Sequence, residues 1–125
     1  MSYLKYRDGR LEVLLLAGLY WIGDPCYTDF EHSLEGQDYY WNGTNTVIAP
    51  TAVGDGEYYD GAGRAYGVDS ASLAIMPALG IAGDIAGMDS YRANGGWVHR
   101  FNQAYEFIVN EGIFYIDGLV IDTNA

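Results

Sequence analysis

Three times along this chain an acidic residue followed by glycine separates two short runs of β-forming residues: Asp8-Gly9, Glu111-Gly112 and Asp117-Gly118. Such a pair suits a tight turn that reverses the chain at once, so the flanking runs must pair as neighbours. Asp8-Gly9 lies between Tyr3-Leu4-Lys5-Tyr6 and Leu11-Glu12-Val13, which predicts a type I′ hairpin with positive φ at both central residues. Near the other end, 105–109 alternates, 113–116 returns and 119–122 follows, which predicts an antiparallel meander. Gly54-Asp55-Gly56 and Asp60-Gly61-Ala62-Gly63 mark further turns around Glu57-Tyr58-Tyr59. A strand centred on 66–69 then leads to Leu73-Ala74-Ile75-Met76 before Pro77. Seventeen glycines and twelve tyrosines serve the same plan: glycine for the turns, large rings for pleated surfaces.

Between these signals the run 13–22 is apolar on both parities. It predicts a central strand buried on both faces, kinked at Gly18 and ended by Gly23-Asp24-Pro25. Thr28 and Glu31 fit a capping box, which predicts a short helix over 29–35 closed by Gly36. The stretch 37–46 reads as loop or short strand. Pro50 makes 46–52 an edge strand. Residues 80–96 read as loop with a short helix near 84–88, and 97–101 as a strand. The fold class is mainly β: one domain over 1–125, an antiparallel sandwich or partly open barrel with one or two short helices.

Composition bounds function. Seventeen Asp and Glu stand against six Lys and Arg, a formal net charge of −11. That balance opposes direct nucleic-acid binding and docking on anionic membranes, both of which need a cationic face. Half of the 125 residues are hydrophobic, enough for a core of ordinary size. The single cysteine, Cys26, excludes an internal disulfide framework and a thiolate-rich zinc site. No apolar stretch follows Met-Ser-Tyr-Leu-Lys, so the expectation is a cytoplasmic protein. Exposed β edges and many tyrosines make a homo-oligomer a reasonable partner state.

Three motifs read together resemble a family of small uncharacterised proteins from bacteria and their phages: Gly23-Asp24-Pro25-Cys26-Tyr27, Gly54-Asp55-Gly56-Glu57-Tyr58 and Tyr66-Gly67-Val68-Asp69-Ser70. The resemblance runs from about Tyr20 to Thr123. It implies a mostly β single domain and a phage or prophage source, and it brings no settled activity. Where that family has a glycine after its Val-Asp-Ser, this chain has Ala71 followed by Ser72.

Asp24, Asp55 and Asp69 each end or interrupt a β run. Converging at one rim, they would offer the oxygen ligands that Mg²⁺ or Ca²⁺ takes, or position water for hydrolysis. The commoner role of Asp beside Gly and Pro is to cap its own turn. Cys26 as a nucleophile with His99 or His32 as base is disfavoured by those same carboxylates, whose charge raises a thiol's pKa. Tyr39-Tyr40-Trp41 and Tyr58-Tyr59 offer rings for stacking on a planar ligand or for the core, and in a strand one of Tyr58 and Tyr59 must face outward. Arg64, Arg92 and Arg100 are half of the basic residues and suit a phosphate or a neighbouring carboxylate.

P-loop, Rossmann, His-Glu-x-x-His and Gly-x-Ser-x-Gly patterns are absent from the sequence. The leading expectation is therefore a binding protein for a small nucleotide-like ligand, such as a sequestered host immune signal. Arg64 or Arg100 would meet its phosphates. Tyr27, Tyr40, Trp41, Tyr58 and Tyr66 would supply rings, and Asp24, Asp69 and Ser70 polar contacts. Beyond a divalent metal on the aspartates, no cofactor is called for. Alternatives are a metal-dependent hydrolase on Asp24, Asp55 and Asp69, and an acidic inhibitor whose carboxylates imitate DNA phosphates.

Overall fold

The computed structural model describes residues 3–27, 34, 37–43, 45–78 and 96–124. In chain order the strands are β1 (Tyr3–Arg7), β2 (Arg10–Leu15), β3 (Gly18–Gly23), β4 (Tyr40–Trp41), β5 (Val47–Pro50) and β6 (Gly56–Tyr59). They continue with β7 (Ala65–Val68), β8 (Ser72–Pro77), β9 (Trp97–Phe101), β10 (Tyr105–Asn110), β11 (Ile113–Ile116) and β12 (Leu119–Asp122). Two five-stranded antiparallel sheets form, ordered β1-β2-β10-β11-β12 and β4-β5-β8-β3-β9, with β6-β7 as a separate hairpin. The sheets do not close into a barrel; the fold is a sandwich.

The acidic-glycine turns do what their chemistry demands. Asp8 and Gly9 have φ of 52° and 79°, Glu111 and Gly112 52° and 78°, Asp117 and Gly118 47° and 85°. Both central residues of each pair are left-handed, so the backbone twist of the turn matches that of the strands it joins. The resulting register stacks Val13, Phe107 and Ile116 in one row on the inner face of the first sheet. Tyr20, Ile22, Val47, Ala49, Leu73 and Ile75 of the second sheet meet them in the main core.

The run 13–22 is not one kinked strand. β2 ends at Leu15 in the first sheet, and β3 begins at Gly18 in the second. Leu16 is 44% exposed where the chain crosses between layers, and the Tyr20 hydroxyl fastens the crossing by donating to the Leu16 carbonyl at 2.8 Å. Both parities read as apolar because β3 is buried on both sides. Trp21, Ile48, Ala74 and Met76 form a second, smaller cluster on the far face of its sheet. β5 also differs from the edge strand expected of it, since it lies between β4 and β8. β4 pairs only with Val47 and Ile48, so Pro50 has no β4 residue opposite it and its missing N–H leaves that ladder intact.

The β6-β7 hairpin spans one open side of the sandwich. It meets the last strand of one sheet through the Asp60–Ile121 bridge. It meets the last strand of the other where Trp97 Nε1 donates to the Ala65 carbonyl at 2.8 Å. Tyr58, Tyr66 and Val68 thereby join the main core.

Among the described residues the helical content is little more than a 3₁₀ turn at Pro25–Tyr27. No helix there is long and apolar enough to cross a membrane. Of the helix expected over 29–35 Leu34 alone is described, with no regular secondary structure, and the helix near 84–88 and the side chains of His32 and Arg92 lie outside the described residues.

Candidate functional site

Asp24 leaves β3 and is 0% exposed. Its Oδ1 accepts from the Cys26 N–H at 2.8 Å and from the Ser70 hydroxyl at 2.6 Å. Its Oδ2 accepts from the Asp69 N–H and from the Ser70 N–H at 2.7 Å. Asp55 Oδ1 accepts from the Ala71 N–H at 2.9 Å. The three acidic motifs therefore do converge, on the corner between β7 and β8. Burial by itself would raise the Asp24 pKa, but hydrogen bonds from Ser70 and from three peptide N–H groups outweigh it and hold the carboxyl below its usual range.

This convergence corrects the expectation that Asp24 meets a ligand, while Ser70 is exposed on the same corner. The Asp24 carboxylate already has two donors on each oxygen, and the Ser70 hydroxyl is one of them. Neither is the turn reading complete, because only the Cys26 bond is local. Asp69 is exposed on the same corner. Among the described residues no group of three His, Cys, Asp or Glu side chains could hold a metal ion. Cys26 sits beside these carboxylates, and burial followed by Asp24, Asp69 and Asp55 pushes its thiol up to about 12. Of Tyr27 the backbone turn alone is described.

The expected aromatic platform is mostly core. Tyr66 is 0% and Tyr58 3% exposed, and the Tyr58 hydroxyl donates to the Gly54 carbonyl at 2.7 Å. Neither ring has a free face for stacking, which corrects their assignment to a ligand. Tyr59 is the outward residue of the pair at 55%, and its hydroxyl bonds Glu57. Half-buried Trp41 packs on the main core and Tyr40 on the second cluster.

The second constellation forms where the hairpin crosses the end of the sandwich. Asp60, buried at the start of the β6-β7 turn, accepts from the Ala62 N–H at 2.8 Å and the Arg64 N–H at 3.0 Å on Oδ1. Its Oδ2 accepts from Arg64 Nε at 2.8 Å and the Tyr66 hydroxyl at 2.7 Å. The Tyr66 oxygen lies 3.1 Å from His99 Nε2 on β9. Burial would raise the Asp60 pKa, yet the bonds from Tyr66, Arg64 and Ala62 keep it low. Burial, then the Arg64 charge, lowers that of His99 and keeps the ring neutral near pH 7.

Arg64 and His99 help line an open cleft of about 520 Å³, together with Phe101, Ile116 and the Asp117-Gly118 turn. Arg100 borders it from the next position on β9, where strand alternation starts its side chain from the opposite face. The Arg64 side chain is 35% exposed, oriented by Asp60 on one edge and open to solvent on another.

No family model, curated protein or solved structure matches this chain. What the cleft can do is set by its own chemistry: a guanidinium held in place by a buried carboxylate, beside a neutral imidazole. Sequence reasoning named Arg64, Arg100 and His99 but not Asp60, which it read as one more turn residue. The available signal was the Asp-Gly-x-x-Arg spacing, which brings carboxylate and guanidinium together across a tight hairpin turn.

Proposed function

We propose that the chain binds a small phosphate-bearing, nucleotide-like ligand in the cleft between the β6-β7 turn, β9 and the β11-β12 turn. The observation that carries this reading is the Arg64 guanidinium, oriented by Asp60 in the cleft wall. Ordering a long side chain costs entropy at the moment of binding, and here the fold has met part of that cost beforehand. Arg presents a planar fork suited to phosphate oxygens.

Isothermal titration calorimetry with pyrophosphate, AMP and a cyclic dinucleotide tests the reading. Saturable heat is expected with at least one of them. Arg64→Lys keeps the charge and loses the fork, and it should weaken that binding by about tenfold, the equivalent of one good hydrogen bond. No heat with any of the three overturns the proposal.

A further inference from the structure

We propose that His99 presents an unprotonated Nδ1 to the cleft, so that the ligand is a phosphate ester carrying a hydroxyl or amino donor beside its anionic group. The inference rests on the reading of the cleft as an anion site and adds to it the class of ester.

The assignment comes from counting protons along Asp60, Tyr66 and His99. The Asp60 carboxylate receives four donors, two on each oxygen, and an ionised carboxylate can only accept. The one hydroxyl proton of Tyr66 is therefore committed to Asp60 Oδ2. Toward His99 the Tyr66 oxygen has lone pairs alone to offer. The 3.1 Å contact then requires a proton on His99 Nε2. A neutral imidazole protonated at Nε2 is bare at Nδ1.

Among the described residues Nδ1 has no hydrogen-bond partner, and His99 is one of the residues that line the cleft. Three hydrogen bonds link the guanidinium to the ring, through Asp60 and Tyr66, so the two groups keep a set relation. A phosphate oxygen is drawn to Arg64 and repelled by the lone pair on Nδ1. A ligand that uses both must place an oxygen anion at one and an O–H or N–H at the other. A sugar phosphate or a nucleotide does this with a hydroxyl or amino group set apart from its phosphate.

Two measurements test the proposal. Long-range ¹H–¹⁵N NMR of the ¹⁵N-labelled protein reads the tautomer directly and needs no variant. Nε2 is expected at the protonated position and Nδ1 at the unprotonated one, and a protonated Nδ1 overturns the inference whatever the cleft binds. Calorimetry then compares ribose 5-phosphate with methyl phosphate. The wild type should prefer the hydroxyl-bearing ester by about tenfold, one hydrogen bond's worth. His99→Phe should bring the two esters within about threefold of each other. Equal binding of both esters by the wild type removes the donor requirement and leaves the anion site standing. Binding of neither ester removes the ligand assignment together with the anion site.

Discussion

Replacing Asp24 tests whether the joined acidic motifs hold the fold. Asp24→Ala would strand four donors at once: the N–H groups of Cys26, Asp69 and Ser70 and the Ser70 hydroxyl. Hydrogen bonds to a charged acceptor are worth about 1.5–3 kcal/mol each when removed singly, and those on one carboxylate do not add. The hydroxyl can rotate to another partner, and Ser72 Oγ is 2.9 Å away. Three stranded peptide donors then make about 3–5 kcal/mol a reasonable total, in line with breaking a buried charged pair. A domain of this kind has about 5–15 kcal/mol in all, so the variant should be close to unfolding.

Asp24→Asn keeps one oxygen and turns an amide against two donors, so about 2–4 kcal/mol is expected. Ser70→Ala, which loses one bond to Asp24, should cost about 1–2 kcal/mol. Urea unfolding followed by tryptophan fluorescence gives the order Ala, Asn, then Ser70→Ala. The pH dependence follows from the depressed carboxyl of the folded state. Its stabilisation is complete above the unfolded value of about 3.9 and is lost as pH falls through the lower folded value. The gap between wild type and Asp24→Asn should therefore narrow in acid. If Asp24→Ala unfolds within about 0.5 kcal/mol of wild type, the carboxylate is no staple and the reasoning fails.

Three further outcomes are expected. Cys26, though exposed, should react with iodoacetamide at pH 8 far more slowly than free cysteine, and faster in Asp55→Asn and Asp69→Asn; a rate equal to free cysteine refutes the raised thiol. Ala71 has φ of 59°, a left-handed backbone that costs a non-glycine residue about 1–2 kcal/mol; Ala71→Gly should gain up to about 1 kcal/mol in urea unfolding despite glycine's unfolded-state entropy, and a loss of that size refutes the strain. A Cβ at Gly96 would lie 2.2 Å from the Trp21 ring, so Gly96→Ala should cost about 1–3 kcal/mol by overpacking, much of it recovered in the double variant with Trp21→Phe; an unchanged midpoint for Gly96→Ala refutes the contact.

Much of the fold was legible because its turns are local. Glu111-Gly112 and Asp117-Gly118 dictate a backbone conformation that needs no distant partner, and the meander followed from them. The split of 13–22 was not legible, because burial on both faces looks the same in one long strand as in two strands that change sheets. Tyr58 and Tyr66 were misassigned for a similar reason. A ring beside a turn reads as exposed until the hairpin carrying it is laid across the end of a sandwich.

The sequence by itself determined where the chain reverses, which residues alternate between core and solvent, and that its acidic turns oppose a reactive thiol. These are short-range consequences of backbone sterics, side-chain period and charge. Tertiary structure alone decided what the polar residues do. Asp24 became a buried tie between loops 45 residues apart, and Asp60 became the anchor of Arg64 and, through Tyr66, of His99. A hydrogen bond is satisfied only within about 3 Å, and which donors come that near depends on how the two sheets and the hairpin between them are stacked.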